Sequence, residues 1–144
     1  MYAFLYPSKP LSINANRKKT YSEGLINAFK KYHPQSYPFD SYLYGFVYYF
    51  HKQSTGLDAD NLSKPVWDAL KSLAFVDDKL VRFRSAGTYN LHSDSIEVLD
   101  LSTMPDYLLN DFLEMIERES HILYIEVGSF DHHLFHFGYE KGKG

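Results

Sequence analysis

Cysteine is absent from the 144 residues, which excludes both disulfides and thiolate zinc sites. The absence is compatible with a reducing compartment, and a cytoplasmic protein is expected. No apolar run approaches the length of a membrane span, so no membrane partner is expected. The N-terminus lacks the basic start, apolar stretch and cleavage site of a secretory signal. There is no phosphate-cradling glycine loop, no Ser–His–Asp constellation, no internal repeat and no low-complexity stretch. No organic cofactor is therefore expected. No interdomain linker is evident either, and the length suits a single domain over residues 1–144. Positive charge is also short: the formal net charge is −3, which limits general affinity for polyanions.

What the chain does have is apolar and aromatic mass. Hydrophobic residues make up 44% and aromatics 17%, with 13 Tyr and 11 Phe, enough for a core without covalent staples. Tyr2 to Tyr6 reads as a strand, followed by a loop from Pro7 to Ala15. A helix is expected over Thr20 to Tyr32, capped by Thr20 or Ser22, with Leu25, Ile26 and Phe29 inward. Ser41 to Gln53 is a long aromatic strand, apolar enough to sit centrally. A strand is expected at Lys79–Ser85, a turn or loop from Ala86 to His92, and a further strand at Ser95–Leu101. A helix with Thr103 as cap runs to about Glu119, and two strands, His121–Val127 and Leu134–Tyr139, close the chain. The order β-α-β-α-β-β-α-β-β gives an α+β fold: a mixed sheet with helices packed on it.

One stretch carries chemistry. Gly56 to Arg84 contains Asp58, Asp60, Lys64, Asp77 and Asp78. If the chain is extended at Asp58 and Asp60, their i, i+2 spacing puts both carboxylates on one face, roughly 6.5–7 Å apart at Cα. Both can then reach one hard cation, since Mg²⁺ and Mn²⁺ prefer carboxylate oxygens. Leu62, Val66, Ala69, Leu70 and Leu73 mark the apolar face of a following helix, with Asn61 or Ser63 able to cap it. Lys64 falls in its first turn and off that face, so its ammonium is expected beside the two aspartates. Asp77 and Asp78 return two more carboxylates. Repulsion among them implies a bound cation or a raised pKa on one member. Taken singly, an Asp-rich turn before a helix is usually a cap and an Asp-Asp pair a solvated turn. The order is harder to dismiss: D-x-D-N, then Lys four residues after the second Asp, then Asp78 eighteen after it. An EF-hand loop would need an acceptor at Leu62 and Gly at Ser63, so that alternative fails. A haloacid-dehalogenase-type phosphatase also uses D-x-D, Lys and D-D, but this Lys lies too close to the first pair and the chain is short.

The sequence D-A-D-N-L-S-K-P-V-W-D-A-L-K…F-V-D-D-K-L-V resembles the core motif of RusA-type Holliday junction resolvases, small metal-dependent endodeoxyribonucleases that cut four-way DNA junctions. The match is densest over Leu57–Val81, reaches a looser P-L-S-I-N near the N-terminus, and is weakest over residues 102–144. The resemblance implies that Asp58, Asp60 and Asp78 bind Mg²⁺, with Mn²⁺ as a substitute, and that Lys64 is needed for cleavage. It makes Asp77 the paired acid and implies a homodimer acting in DNA recombination and repair. Asn61 is expected to fix the turn. Arg17, Lys18 and Lys19 are candidate phosphate contacts, as are Arg82 and Arg84, which alternate onto the Asp78 face of their strand. Each of these basic groups also reads as ordinary surface charge. The competing functions are a non-catalytic branched-DNA-binding or phage-associated module, and a nuclease for flaps, forks or duplex.

Overall fold

The computed structural model describes residues 1–11, 16–53, 56–92, 94 and 99–140. Its four strands are β1 (Tyr2–Tyr6), β2 (Leu43–His51), β3 (Val81–Asn90) and β4 (His121–Ser129), and its three α-helices are α1 (Lys18–Tyr32), α2 (Ser63–Leu70) and α3 (Asp106–Arg118). The strands form one mixed sheet in the order β1-β4-β2-β3. β4 runs antiparallel to both β1 and β2, while β2 and β3 are parallel and joined through α2. The fold is α+β, as the element pattern predicts. No helix among the described residues is long and apolar enough to cross a membrane.

The sheet buries both faces, and period-two alternation decides which residue goes where. Leu43, Val47 and Tyr49 of β2 join Phe4, Leu123, Ile125 and Val127 against α1 (Tyr21, Leu25, Phe29) and α2 (Val66, Trp67, Leu70). Phe50 of β2 joins Ala3, Leu5, Ile122 and Tyr124 on the opposite face, against Leu108, Phe112 and Met115 of α3. The aromatic richness of β2 thus follows from its interior place between β4 and β3.

Gly45 sets how closely α2 approaches. A Cβ there would lie 2.5 Å from Trp67 Cη2 and 2.8 Å from Val81 Cγ1. The absent side chain lets the fully buried Trp67 lie flush on β2, which fixes the helix beside the acidic segment. α2 ends at Leu70, and Ser72 reverses the chain with φ 72°, its N–H donating to the Phe75 carbonyl at 2.7 Å. Leu73 therefore packs on the core from the turn and not from the helix.

Several expected boundaries shift. α1 begins at Lys18, with Arg17 at its cap position, so neither Thr20 nor Ser22 caps it. α2 follows Leu62, and α3 follows Pro105, without the capping side chains expected at Asn61, Ser63 or Thr103. Lys79 and Leu80 belong to a 3₁₀ turn and not to a strand. The turn expected within residues 86–92 is strand as far as Asn90. Gly87 and Thr88 pair with Tyr48 and Tyr49, and that ladder overrides the local glycine signal. Of the strand expected at Ser95–Leu101, residues 95–98 lie outside the described ones. Leu99 and Leu101 are not strand but pack against the α3 cluster. Leu134–Tyr139 is not a strand either. A 3₁₀ turn at His132–Leu134 redirects the chain, and Phe135 packs edge-on against Phe83 and Phe130.

Candidate metal centre

The acidic segment bridges β2 and α2. Asp58 is extended (φ −70°, ψ 149°), but Ala59–Asn61 coils into a 3₁₀ turn, closed by Asn61 N–H to Asp58 C=O at 3.0 Å and Leu62 N–H to Ala59 C=O at 3.1 Å. The common-face argument for Asp58 and Asp60 requires two extended residues, so it does not hold here. Both side chains are exposed, and among the described residues neither forms an ion pair.

Asp60, Asn61 and Lys64 line one pocket of about 320 Å³, together with Leu11, Lys18, Pro65 and Asp68. Lys64 Nζ lies 3.4 Å from Asp68 Oδ2, one helical turn away, with 81% of its side chain exposed. The ammonium expected beside the two aspartates instead pairs with Asp68, and Lys64 shares the pocket lining with Asp60 without an ion pair to it. Asp68 is a member of the constellation that the motif reading missed. Its signal was the i, i+4 spacing from Lys64 on one helix face.

Asp77 and Asp78 sit in the 3₁₀ turn that leads into β3. Asp77 is the cap, its Oδ1 accepting the Lys79 N–H at 3.1 Å. That hydrogen bond, and next one shared with Asp78, hold its carboxyl below the ordinary range. Of the two outcomes expected from carboxylate repulsion, a raised pKa is not what Asp77 shows. Arg84 Nη2 donates to the Asp78 carbonyl at 2.7 Å and lies 4.0 Å from Asp78 Oδ2.

Among the described residues no three His, Cys, Asp or Glu side chains are gathered so as to hold an ion. Asp58, Asp60 and Asp78 still offer only carboxylate oxygens, the donor chemistry of a hard divalent cation. Two neighbouring cations are already committed, Lys64 to Asp68 and Arg84 to the Asp78 turn. In donor type and charge these residues fit Mg²⁺ or Mn²⁺, although the structure does not draw them together.

The basic candidates divide. Lys18 lines the pocket with Asp60, and Lys19 is exposed in the first turn of α1. Arg17 is turned inward on its own loop, donating to the carbonyls of Lys9 and Pro10 at 3.1 and 3.0 Å. The P-L-S-I-N stretch falls largely on residues 12–14, outside the described ones. Arg82 lies between two rings, 4.9 Å from the Tyr42 centroid and 4.3 Å from that of Phe130.

A mixed α+β sheet thus carries an acidic D-x-D-N turn, a pocket lysine and a returning D-D pair, the features that the family comparison bears on. The model of the family Endodeoxyribonuclease RusA matches residues 15–98, more than half of the chain. The protein belongs to the RusA endodeoxyribonuclease family, as the motif resemblance implies. A comparison with curated proteins gave no match.

Proposed function

We propose that this protein is a divalent-metal-dependent endonuclease that hydrolyses phosphodiester bonds in four-way DNA junctions, acting as a homodimer in recombination and repair. The observation that carries the reading is the pocket where Asp60, Asn61, Lys64 and Lys18 meet, in a chain whose family is RusA. Asp58, Asp60 and Asp78 would hold the ion. When bound, a divalent cation supplies an activated water and offsets charge on the scissile phosphate.

The remaining groups act around that site. Lys64 places a fixed positive charge where the leaving or non-bridging oxygen becomes more negative. Asp68 orients Lys64 along its own helix. Asn61 helps close the turn that carries Asp60, and Asp77 caps the turn that carries Asp78. Arg82, braced between Tyr42 and Phe130, presents a planar guanidinium suited to a phosphate. Lys18, which lines the pocket with Asp60, and the exposed Lys19 beside it in α1 add positive charge for the DNA backbone. Two symmetric cuts in a junction suit two sites related by a twofold axis.

The test is a panel of four-way junction, flap, fork and linear duplex, incubated in Mg²⁺ and in Mn²⁺, with Asp60→Asn as control. The expected result is cleavage of the junction above the other substrates, lost in Asp60→Asn. The open carboxylates favour one competing reading, a non-catalytic branched-DNA module. Junction binding without cleavage in either metal would establish that reading. Cleavage of a flap or duplex in preference to the junction would keep the chemistry and change the substrate.

A further inference from the structure

We propose that Arg84 is a positioning residue for Asp78 and not a DNA contact. The inference rests on the reading above, that Asp78 ligates a divalent ion. The sequence pairs Arg82 with Arg84 on one strand face, yet the two guanidinium groups are used differently. Arg84 turns back on its own chain. Its Nη2 donates to the Asp78 carbonyl at 2.7 Å and its Nε to the Val81 carbonyl at 2.9 Å. One planar group therefore bridges both ends of the short segment from Asp78 to the start of β3. The Arg82 guanidinium makes no hydrogen bond among the described residues and stays exposed between Tyr42 and Phe130.

The magnitudes favour the backbone contacts over the ion pair. At 4.0 Å, with side chains 36% and 29% exposed, the Arg84–Asp78 charge pair contributes little by itself. Hydrogen bonds from a charged donor are shorter and stronger, and the fork geometry fixes both carbonyls at once. Asp77 closes the same turn from within by accepting the Lys79 N–H. The Asp78 carboxylate thus projects from a turn held on two sides. Lysine cannot reproduce this, because its ammonium is a point charge on a flexible stem. Outer partners that orient a metal ligand commonly matter about 10–100-fold in metal affinity.

The experiment compares wild type with Arg84→Ala, Arg84→Lys, Arg82→Ala and Asp78→Asn, each first shown to be folded by its thermal transition. Mn²⁺ affinity is measured without DNA, junction affinity in EDTA, and amide exchange over residues 78–81 without metal. Both Arg84 variants are expected to bind Mn²⁺ about tenfold or more weakly and to exchange those amides faster. Their junction affinity is expected to stay at the wild-type level, whereas Arg82→Ala weakens junction binding and leaves Mn²⁺ affinity alone. Arg84→Lys restoring Mn²⁺ affinity and slow exchange would overturn the inference. So would a loss of junction affinity with Mn²⁺ binding untouched. If Asp78→Asn binds Mn²⁺ as wild type does, the metal reading fails and takes the inference with it. If Asp78→Asn loses Mn²⁺ and the Arg84 variants do not, the inference alone fails.

Discussion

Every side chain proposed here for chemistry or phosphate contact lies between Arg17 and Arg84, on α1 or on the β2–α2–β3 crossover and its flanks. β1 and β4 lie outside the residues that match the family, 15–98, and carry none of them. Yet β4 occupies the interior of the sheet, between β1 and β2, and contributes Leu123, Ile125 and Val127 to the core beneath α1 and α2. The crossover holds most of the residues proposed for chemistry, and the C-terminal third completes the surface on which the crossover rests. A family signature marks where functional residues fall, and it need not coincide with a unit that folds alone.

Removing residues 102–144 tests that distinction most severely. It deletes α3 and β4, strips β1 of its partner, and exposes the α3-side face of β2 together with the edge that pairs with β4. No cooperative thermal transition is expected by circular dichroism. A fragment that melts cooperatively would show that the crossover folds by itself.

Lys64→Ala probes the chemistry side alone. Junction cleavage in Mg²⁺ is expected to fall about 10²–10³-fold in single-turnover rate, with the melting temperature unchanged. A rate at the wild-type level would remove Lys64 from the mechanism and leave its contact with Asp68 as ordinary helix pairing.

A pair of core variants sharpens the comparison further. Phe112→Ala empties the α3 side of the sheet and is expected to cost about 3–5 kcal/mol in denaturant unfolding, with Mn²⁺ affinity retained below the transition. Gly45→Ala pushes a methyl into Trp67 beneath α2 and is expected to cost about 1–3 kcal/mol. It is the smaller lesion, but it displaces the helix that carries Lys64, so cleavage should fall with it. Equal cleavage by both folded variants would show that α2 placement does not control the site.

How much of this could be read in the chain depended on whether a signal was local. The D-x-D-N…K…D-D order is local and names its residues, and the aromatic run of β2 announces its interior place. The pairing of β4 between β1 and β2 is non-local, and no turn or spacing near it says so. The carbonyl contacts of Arg84 are hidden in the sequence for a related reason. Strand alternation placed it on the Asp78 face, but the preceding 3₁₀ turn brings carbonyls within reach of its fork. Arg17 is the same case, since a basic run looks solvated until the carbonyls of Lys9 and Pro10 come near. The expected common face of Asp58 and Asp60 failed because the chain had already begun to coil toward α2.

The most direct test of the metal centre is a crystal structure determined in Mn²⁺, read by the anomalous signal of the ion. The account predicts a peak ligated by carboxylate oxygens of Asp58, Asp60 and Asp78, with the two acidic turns drawn toward each other. A peak at other residues, or none on these three in a protein that cleaves DNA, would contradict it.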